Sequence, residues 1–219
     1  MTGFDLKAAL IKAFQETALM SGVSLLAAVI IGGGLGLLLY TTGSPLFIRN
    51  RTVNQVAGVI INIVRSVPFL ILLVLLIPLS KAVVHTTIGP AAVIIPLSIA
   101  AIAFFTRLAD ASFSDVNQGV IEAAISTGAS KWSVISRILL PEALPSIVRN
   151  ITVTAVSLIG FSAMAGTVGG GGIGDLAIRY GYQRYRTDVM FICVVLLILL
   201  VQGVQLTGDL TAKLLDKKR

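Results

Sequence analysis

Few residues in this chain are of a kind that makes or breaks covalent bonds, and their spacing excludes most of the reactions they would support. Ser162, in the stretch GFSAM, and the lone His85 come nearest to a nucleophile and its base. No second acid or base stands near either in sequence, and His85 sits beside the turn at Gly89-Pro90, so a hydrolytic constellation is incomplete. Cys193 is the single cysteine and lies inside an uncharged apolar run. It forms neither a disulfide framework nor a cysteine-rich metal site within one chain, and reads as a small buried hydrophobe. The glycine run Gly169 to Gly172 resembles a phosphate-binding loop only in composition. Such a loop ends in Gly-Lys, whereas Gly174 is followed by Asp175 and no glycine in the chain precedes a lysine. Any nucleotide chemistry belongs to another chain. The centres of the apolar runs carry no Asp or Glu, which removes the intramembrane carboxylates of an ion-driven carrier or a channel ring. What remains is the chemistry of docking and movement.

The longest polar stretch, Arg107 to Arg149, contains the sequence EAAISTGASKWSVISRILLP from Glu122 to Pro141. Good helix formers run through Ala123 and Ala124, and Gly128 then interrupts. A second amphipathic piece starts at Lys131 and is expected to end before Pro141, with Trp132, Ile135, Ile138 and Leu139 spaced to share one apolar face. A helix, a break and a helix of this kind either lies on a bilayer surface or packs into a partner's groove. Glu122 is expected to anchor the helix start or to contact that partner.

These residues are held by a membrane protein. Apolar residues make up 56% of the 219 and charged residues only 12%, with a mean hydropathy of +0.95. A soluble fold cannot hide that much apolar surface. Uncharged runs from Thr17 to Ile48, Ala82 to Thr106, Asn150 to Gly174 and Val189 to Gly208 each suffice to cross about 30 Å of hydrocarbon. Val56 to Leu79 is counted as a further span despite Arg65, Pro68 and Pro78, because an arginine near a helix end reaches the headgroups with its long stem. The expected fold is an all-α integral membrane protein, one domain over 1–219, with five transmembrane helices near 17–40, 56–79, 84–106, 150–168 and 189–208. The polar segment 109–145 is expected to be cytoplasmic and is the candidate docking and coupling segment. The net charge of +7 does not point to nucleic acid, because the basic residues sit between the apolar runs and at the C-terminus.

At this point a resemblance becomes specific. Glu122-Ala123-Ala124, Gly128, Ile138 and Leu140-Pro141 stand at the spacing of the EAA motif, and the chain is similar to the permease subunits of ATP-driven (ABC-type) importers. It is most similar to methionine-uptake permeases, through NIVRSVPFLILLVLLIP (62–78), LPEALPSI (140–147) and GFSAMAGTVGGGGIGDLAIRYGYQRY (160–185). The resemblance implies a coupling helix built on Glu122, Ala123, Ala124, Gly128, Ala129, Ser130, Lys131, Trp132, Ile138, Leu140 and Pro141, docking on a separate ATPase subunit. It also implies two permeases with two ATPases in the bacterial inner membrane, fed by an extracytoplasmic methionine-binding lipoprotein and working by alternating access. No cofactor is expected in this chain, ATP and Mg being bound by the ATPase. A permease for another amino acid or a small peptide is the alternative. Gly160, Phe161, Ser162 and Met164, in the fourth span, are the candidate pathway and gate. Met164 and Phe161 are the bulky side chains among small neighbours there. The glycines around this span read as sites of motion.

Five spans place the termini on opposite sides. Arg49, Arg51, Arg65, Arg107, Lys131, Arg137, Arg149, Lys213, Lys217, Lys218 and Arg219 then share one side, and Lys7, Lys12, Lys81, Arg179, Arg184 and Arg186 the other. The richer side is cytoplasmic by the positive-inside rule, so the N-terminus is external. A cysteine introduced at position 3 is therefore expected to react with a membrane-impermeant maleimide in intact cells. Reaction only after permeabilisation would overturn this orientation.

Overall fold

The structure, a computed structural model, describes residues 5–215. Position 3 and the basic residues 217–219 used in the charge count lie outside them. Helix α1 (Leu6–Gly43) starts where the Asp5 carboxylate accepts hydrogen bonds from the N–H groups of Lys7 and Ala8. At about 57 Å it is longer than the hydrocarbon is thick. Its first turns, with Lys7, Lys12 and Glu16, therefore extend the expected 17–40 span. A π-turn at Ala28–Gly32 interrupts α1. It brings Gly32 and Gly36 against α4 (Pro90–Ser114): a Cβ on Gly32 would stand 2.9 Å from the Ile102 carbonyl, and one on Gly36 2.6 Å from the Ala109 Cβ. In lipid, such small-residue contacts replace the hydrophobic drive between helices.

The expected span 56–79 is two helices, α2 (Arg51–Ser66) and α3 (Phe69–Val84), bent by 107°. The cause is local. Pro68 bars its predecessor from helical geometry, and Val67 is extended at φ −83°, ψ 125°. Counting the bent pair as one crossing keeps the total at five. His85, with φ +59°, ends α3 in a left-handed turn, and Pro90 opens α4 at its first turn. Because that turn lies between them, the expected 84–106 span sits further along, at Pro90–Ser114. α4 packs against α1, α2, α3 and the later helix α6, and so forms the centre of the bundle.

Of the expected coupling segment 109–145, only the part between α4 and Lys131 lies outside the long helices. It carries the short helix α5 (Gln118–Ser126). From Lys131 the chain does not stop at Pro141: α6 runs over Lys131–Val168, far beyond the expected 150–168. Pro141 has no N–H to donate, and a π-turn at Ile135–Leu139 immediately before it, with the Leu140 N–H donating to the Ile135 carbonyl, carries the helix past the proline. Beyond α6 comes α7 (Gly172–Leu176), continued by a π-turn at Ala177–Tyr182. α8 (Thr187–Leu215) packs on α6 and leaves Phe191, Val195 and Leu199 facing outward, as a lipid-facing helix should.

The glycines between α6 and α7 serve packing rather than motion. A Cβ on Gly174 would collide with the backbone of Ala163, one on Gly166 with the backbone of Asp175, and one on Gly170 would lie 2.8 Å from the Ala165 carbonyl. Gly160 differs, since a Cβ there meets nothing within 4 Å. Gly174→Ala is therefore expected to destabilise the purified permease by about 1–3 kcal/mol, read as a lower thermal midpoint in detergent. Gly160→Ala should leave that midpoint unchanged, and equal effects at the two positions would refute the assignment.

Candidate coupling surface and membrane pathway

Helix α5 is capped by Asn117, whose Oδ1 accepts from the Gly119 N–H at 2.9 Å, so the start does not rest on Glu122, which stands mid-helix and exposed. Ile121 is fully buried and fastens α5 to the core. Its end is a closed double turn. The Gly128 N–H donates to the Ile125 carbonyl at 3.0 Å and the Ala129 N–H to the Ala124 carbonyl at 3.1 Å, with Gly128 at φ +88°. This is the Schellman arrangement, in which the residue after the C-cap must turn left-handed; glycine does so without steric cost. Ser130 then caps α6, its Oγ accepting from the Ser133 N–H.

Lys131 is also held within this chain: its Nζ donates to the Phe47 carbonyl at 2.9 Å and ties the 44–50 loop to this turn. The apolar face expected to dock is mostly spent inside this chain. Val134 and Leu139 are fully buried, and Ile135 and Ile138 are half-buried. The reason is that the second piece is the root of α6, so its inner face packs on Ile121 and Phe113 in the main core. Trp132 points out, with 73% of its surface exposed, beside Glu122, Ala123, Thr127 and Gly128, all exposed; Leu140 and Pro141 are exposed further along. An aromatic left bare at the end of a helical turn is a ready anchor for another protein.

At the other end of α6 the four expected residues are separated by role. Ser162 is buried and donates to the Ile159 carbonyl at 2.8 Å, which satisfies it within the helix. Phe161 stacks on Phe69 at the start of α3, ring centroids 4.8 Å apart. Gly160 and Met164, the latter 51% exposed, face away from the bundle. Beneath Phe161 a cavity of about 210 Å³ opens between the α2–α3 break, α4 and α6, with Arg65, Leu72, Ala100 and Phe104 among its lining. The sequence suggested an Arg65 that reaches the headgroups from a span end; in the structure it stands just before the break in that span. It faces this cavity at the level of Ala100 and Phe104, roughly 15 to 21 Å along α4 from its Pro90 end. One turn deeper, Arg107 donates to Asn62 at 3.1 Å, to the Gly58 carbonyl at 3.3 Å and to Asp110 at 3.4 Å, fastening α2 to α4. The proline after Arg65 was the signal for this site, because a break exposes what a continuous helix would have turned toward lipid.

At the α7 end, Glu16 and Thr17 of α1 accept the first N–H groups of α7, from Gly172 at 2.8 Å and Ile173 at 2.9 Å. Arg179 pairs with Asp175 at 2.6 Å. Burial pushes the Asp175 carboxyl up from its ordinary value, against the downward pull of Arg179. Arg184 lies over the Tyr180 ring, 4.4 Å from its centroid, while Tyr182 and Tyr185 are exposed, as suits a membrane–water boundary. Among the described residues no group of three His, Cys, Asp or Glu side chains could hold a metal.

A bundle with a bent half-span, a central cavity and a bare coupling turn defines a membrane permease driven by a separate engine. Residues 28–219 match the family described as binding-protein-dependent transport system inner membrane component, and the chain belongs to that family. It is 44% identical over 209 residues to the probable D-methionine transport system permease protein MetI of Vibrio cholerae, covering 95% of this chain and 93% of that one. It is 43% identical to the methionine import system permease protein MetP of Bacillus subtilis, covering 83% and 82% of the two chains. The fold superposes on a chain of the MetNI methionine ABC transporter, solved in inward-facing conformations, with a TM-score of 0.95 and 37% identity over 99% of this chain and 100% of that one. An amino acid ABC transporter crystallised with histidines has a TM-score of 0.79 at 19% identity over 94% of each chain, and shares the fold alone. The resemblance to ABC importer permeases is thereby borne out.

Proposed function

We propose that the cargo of this permease is methionine, L- or D-, moved inward across the bacterial inner membrane at the expense of ATP bound with Mg and hydrolysed by a partner subunit. The observation that carries this reading is the agreement of sequence and shape over nearly the whole chain: 44% identity to a D-methionine permease and a TM-score of 0.95 to a methionine transporter chain. Two copies of the chain work with two ATPase subunits, and an extracytoplasmic methionine-binding lipoprotein delivers the substrate. The N-terminus is outside and the C-terminus in the cytoplasm.

Coupling runs through the exposed turn. Glu122, Ala123, Ala124, Gly128, Ala129, Ser130, Lys131 and Trp132 form the docking element, with Trp132 as its anchor. Ile138, Leu140 and Pro141 transmit its displacement into α6. ATP-driven closure of the ATPase pair moves the turn, and the two permeases rock as rigid bodies about their common axis. Gly160 and Met164, on the outward face of α6, border the pathway, with Phe161 and Ser162 behind them and Met164 as the gate toward the outside. Support for this comes from the exposure of Met164 and the open space at Gly160. A flexible thioether suits a contact that must form and part repeatedly.

Proteoliposomes holding this chain with its ATPase are expected to take up radiolabelled methionine only with both ATP and the binding lipoprotein. A Cβ at Gly128 meets no neighbour within 4 Å, so Gly128→Leu should insert normally, but the φ of +88° strains any side chain by about 1–2 kcal/mol and distorts the turn. Uptake in this variant should fall at least about tenfold, equivalent to about 1.4 kcal/mol of docking. Wild-type uptake and ATPase stimulation in Gly128→Leu would sink the coupling assignment, and wild-type uptake of a different amino acid in place of methionine would sink the substrate.

The gate has its own test. In a Cys193→Ser background, Met164→Cys should form a disulfide between two copies in the resting complex and much less when ATP is trapped. Cross-linking that is absent, or equal in the two states, would leave Met164 as surface packing.

A further inference from the structure

From the cavity at the α2–α3 break we infer a binding site for the α-carboxylate of the transported amino acid, with Arg65 as its anchor and Phe69, Phe104 and Phe161 as the seat of the side chain. The site rests on the reading of the chain as an amino acid permease and goes beyond it in assigning a substrate contact to this subunit.

The argument begins with the position of Arg65. It is exposed in the chain, lines the cavity, and lies near the middle of α4's length, where a charge in hydrocarbon is costly and is retained for a partner or a pathway. Among the described residues no acid pairs with it. A second copy, in the two-fold assembly proposed above, would supply none either. Two permeases related by an axis along the membrane normal present the same residues at the same depth. Of the ten acids in the chain, the one inside this part of the bundle is Asp110, a turn or more deeper and already held by Arg107. The protein therefore leaves a planar guanidinium in a cavity without a counter-ion, and a carboxylate is the group its forked donors fit, in bidentate geometry.

The rest of the cavity selects the remainder of the ligand. Phe69 and Phe161 are stacked at 4.8 Å, and Phe104 and Leu72 complete an apolar surface. Thioethers make favourable contacts with aromatic rings, and an ammonium group is attracted to ring faces. The volume of about 210 Å³ is below the roughly 300 to 1,000 Å³ of sites for drug-sized molecules, so the occupant is small. The break that makes the site has the geometry by which interrupted helices offer polar groups at mid-membrane depth.

The test reads the cavity itself. In the assembled permease–ATPase complex in lipid nanodiscs without ATP, and in a Cys193→Ser background, Ala100→Cys places a thiol in the cavity wall. Its alkylation by a small maleimide should be slowed at least about fivefold by methionine. Methioninamide, which keeps the side chain and ammonium but lacks the carboxylate, should require roughly tenfold or more higher concentration for the same protection, the range set by one charge-assisted hydrogen-bonding group. Adding Arg65→Gln should erase the difference between the two ligands, while the thiol at position 100 stays as reactive without ligand as before. Equal protection by both ligands in the wild-type cavity overturns the proposal, as does discrimination that survives Arg65→Gln, or a thiol no more reactive than the buried Cys193. Protection by another amino acid and not by methionine, again lost with Arg65→Gln, keeps the carboxylate site and overturns the methionine reading. The absence of protection by any amino acid overturns the site while leaving the coupling and uptake assays to decide the function.

Discussion

The close approach of α1 to α4 is the contact on which the rest of this bundle depends. In lipid, apolar side chains gain little by turning from acyl chains to one another, so helices adhere where backbones come near enough for dense packing. Gly32 and Gly36 provide that approach, facing Ile102, Thr106 and Ala109 on α4. α4 thereby becomes an axis with α1 on one flank, the bent pair on another and α6 on a third. Each functional feature is referred to it. Ala100 and Phe104 form one wall of the central cavity, Arg107 fastens α2, and Phe113 continues the core down to Ile121 beneath the coupling turn.

The second structural relation is the continuity of α6. The same continuous element that begins with Lys131 ends past Met164, so the proposed docking surface and the proposed outer part of the pathway are two ends of one helix. A helix transmits displacement along its axis far better than a loop does, because bending it costs backbone hydrogen bonds. Lys131 adds a second connection by holding the Phe47 carbonyl, which makes the 44–50 loop move with the turn. The bare surface at Trp132 and the exposed face at Gly160 and Met164 thus belong to a single mechanical unit.

Much of this was legible in the residues, and the failures have physical causes. Uncharged runs mark spans because hydrocarbon tolerates few charges, and they located every long helix. They could not mark ends, because α1 and α6 continue well outside the membrane, where polar residues are equally helical. The EAA pattern marked the turn proposed for coupling, and Gly128 occupies the left-handed position that such a turn demands. The destination of the flanking apolar residues was hidden: spacing shows that Ile135, Ile138 and Leu139 share a face, but only packing shows that the face belongs to this chain's own core. Arg65 was placed near the end of a straight span, and the bend instead sets it beside a cavity. A long side chain near a span end normally reaches water, and that expectation assumed a straight helix through Pro68.

The glycines teach the same lesson in a sharper form. A glycine-rich stretch is compatible with freedom or with contact too tight for any side chain, and composition does not separate the two. Here Gly166, Gly170 and Gly174 are places where α6 and α7 touch backbone to backbone, and Glu16 and Thr17 of α1 hold the first N–H groups of α7. The far end of α6 is therefore clamped between α7 and α1, and cannot bend independently of them. If α6 is a rod fixed to α1 at one end and to the 44–50 loop at the other, the place left for internal adjustment is the α2–α3 break. There Val67 and Pro68 interrupt the helix and the cavity lies open beside it. The break and Arg65, which no acid pairs among the described residues, stand side by side, so a ligand held at Arg65 as proposed would bear on that joint.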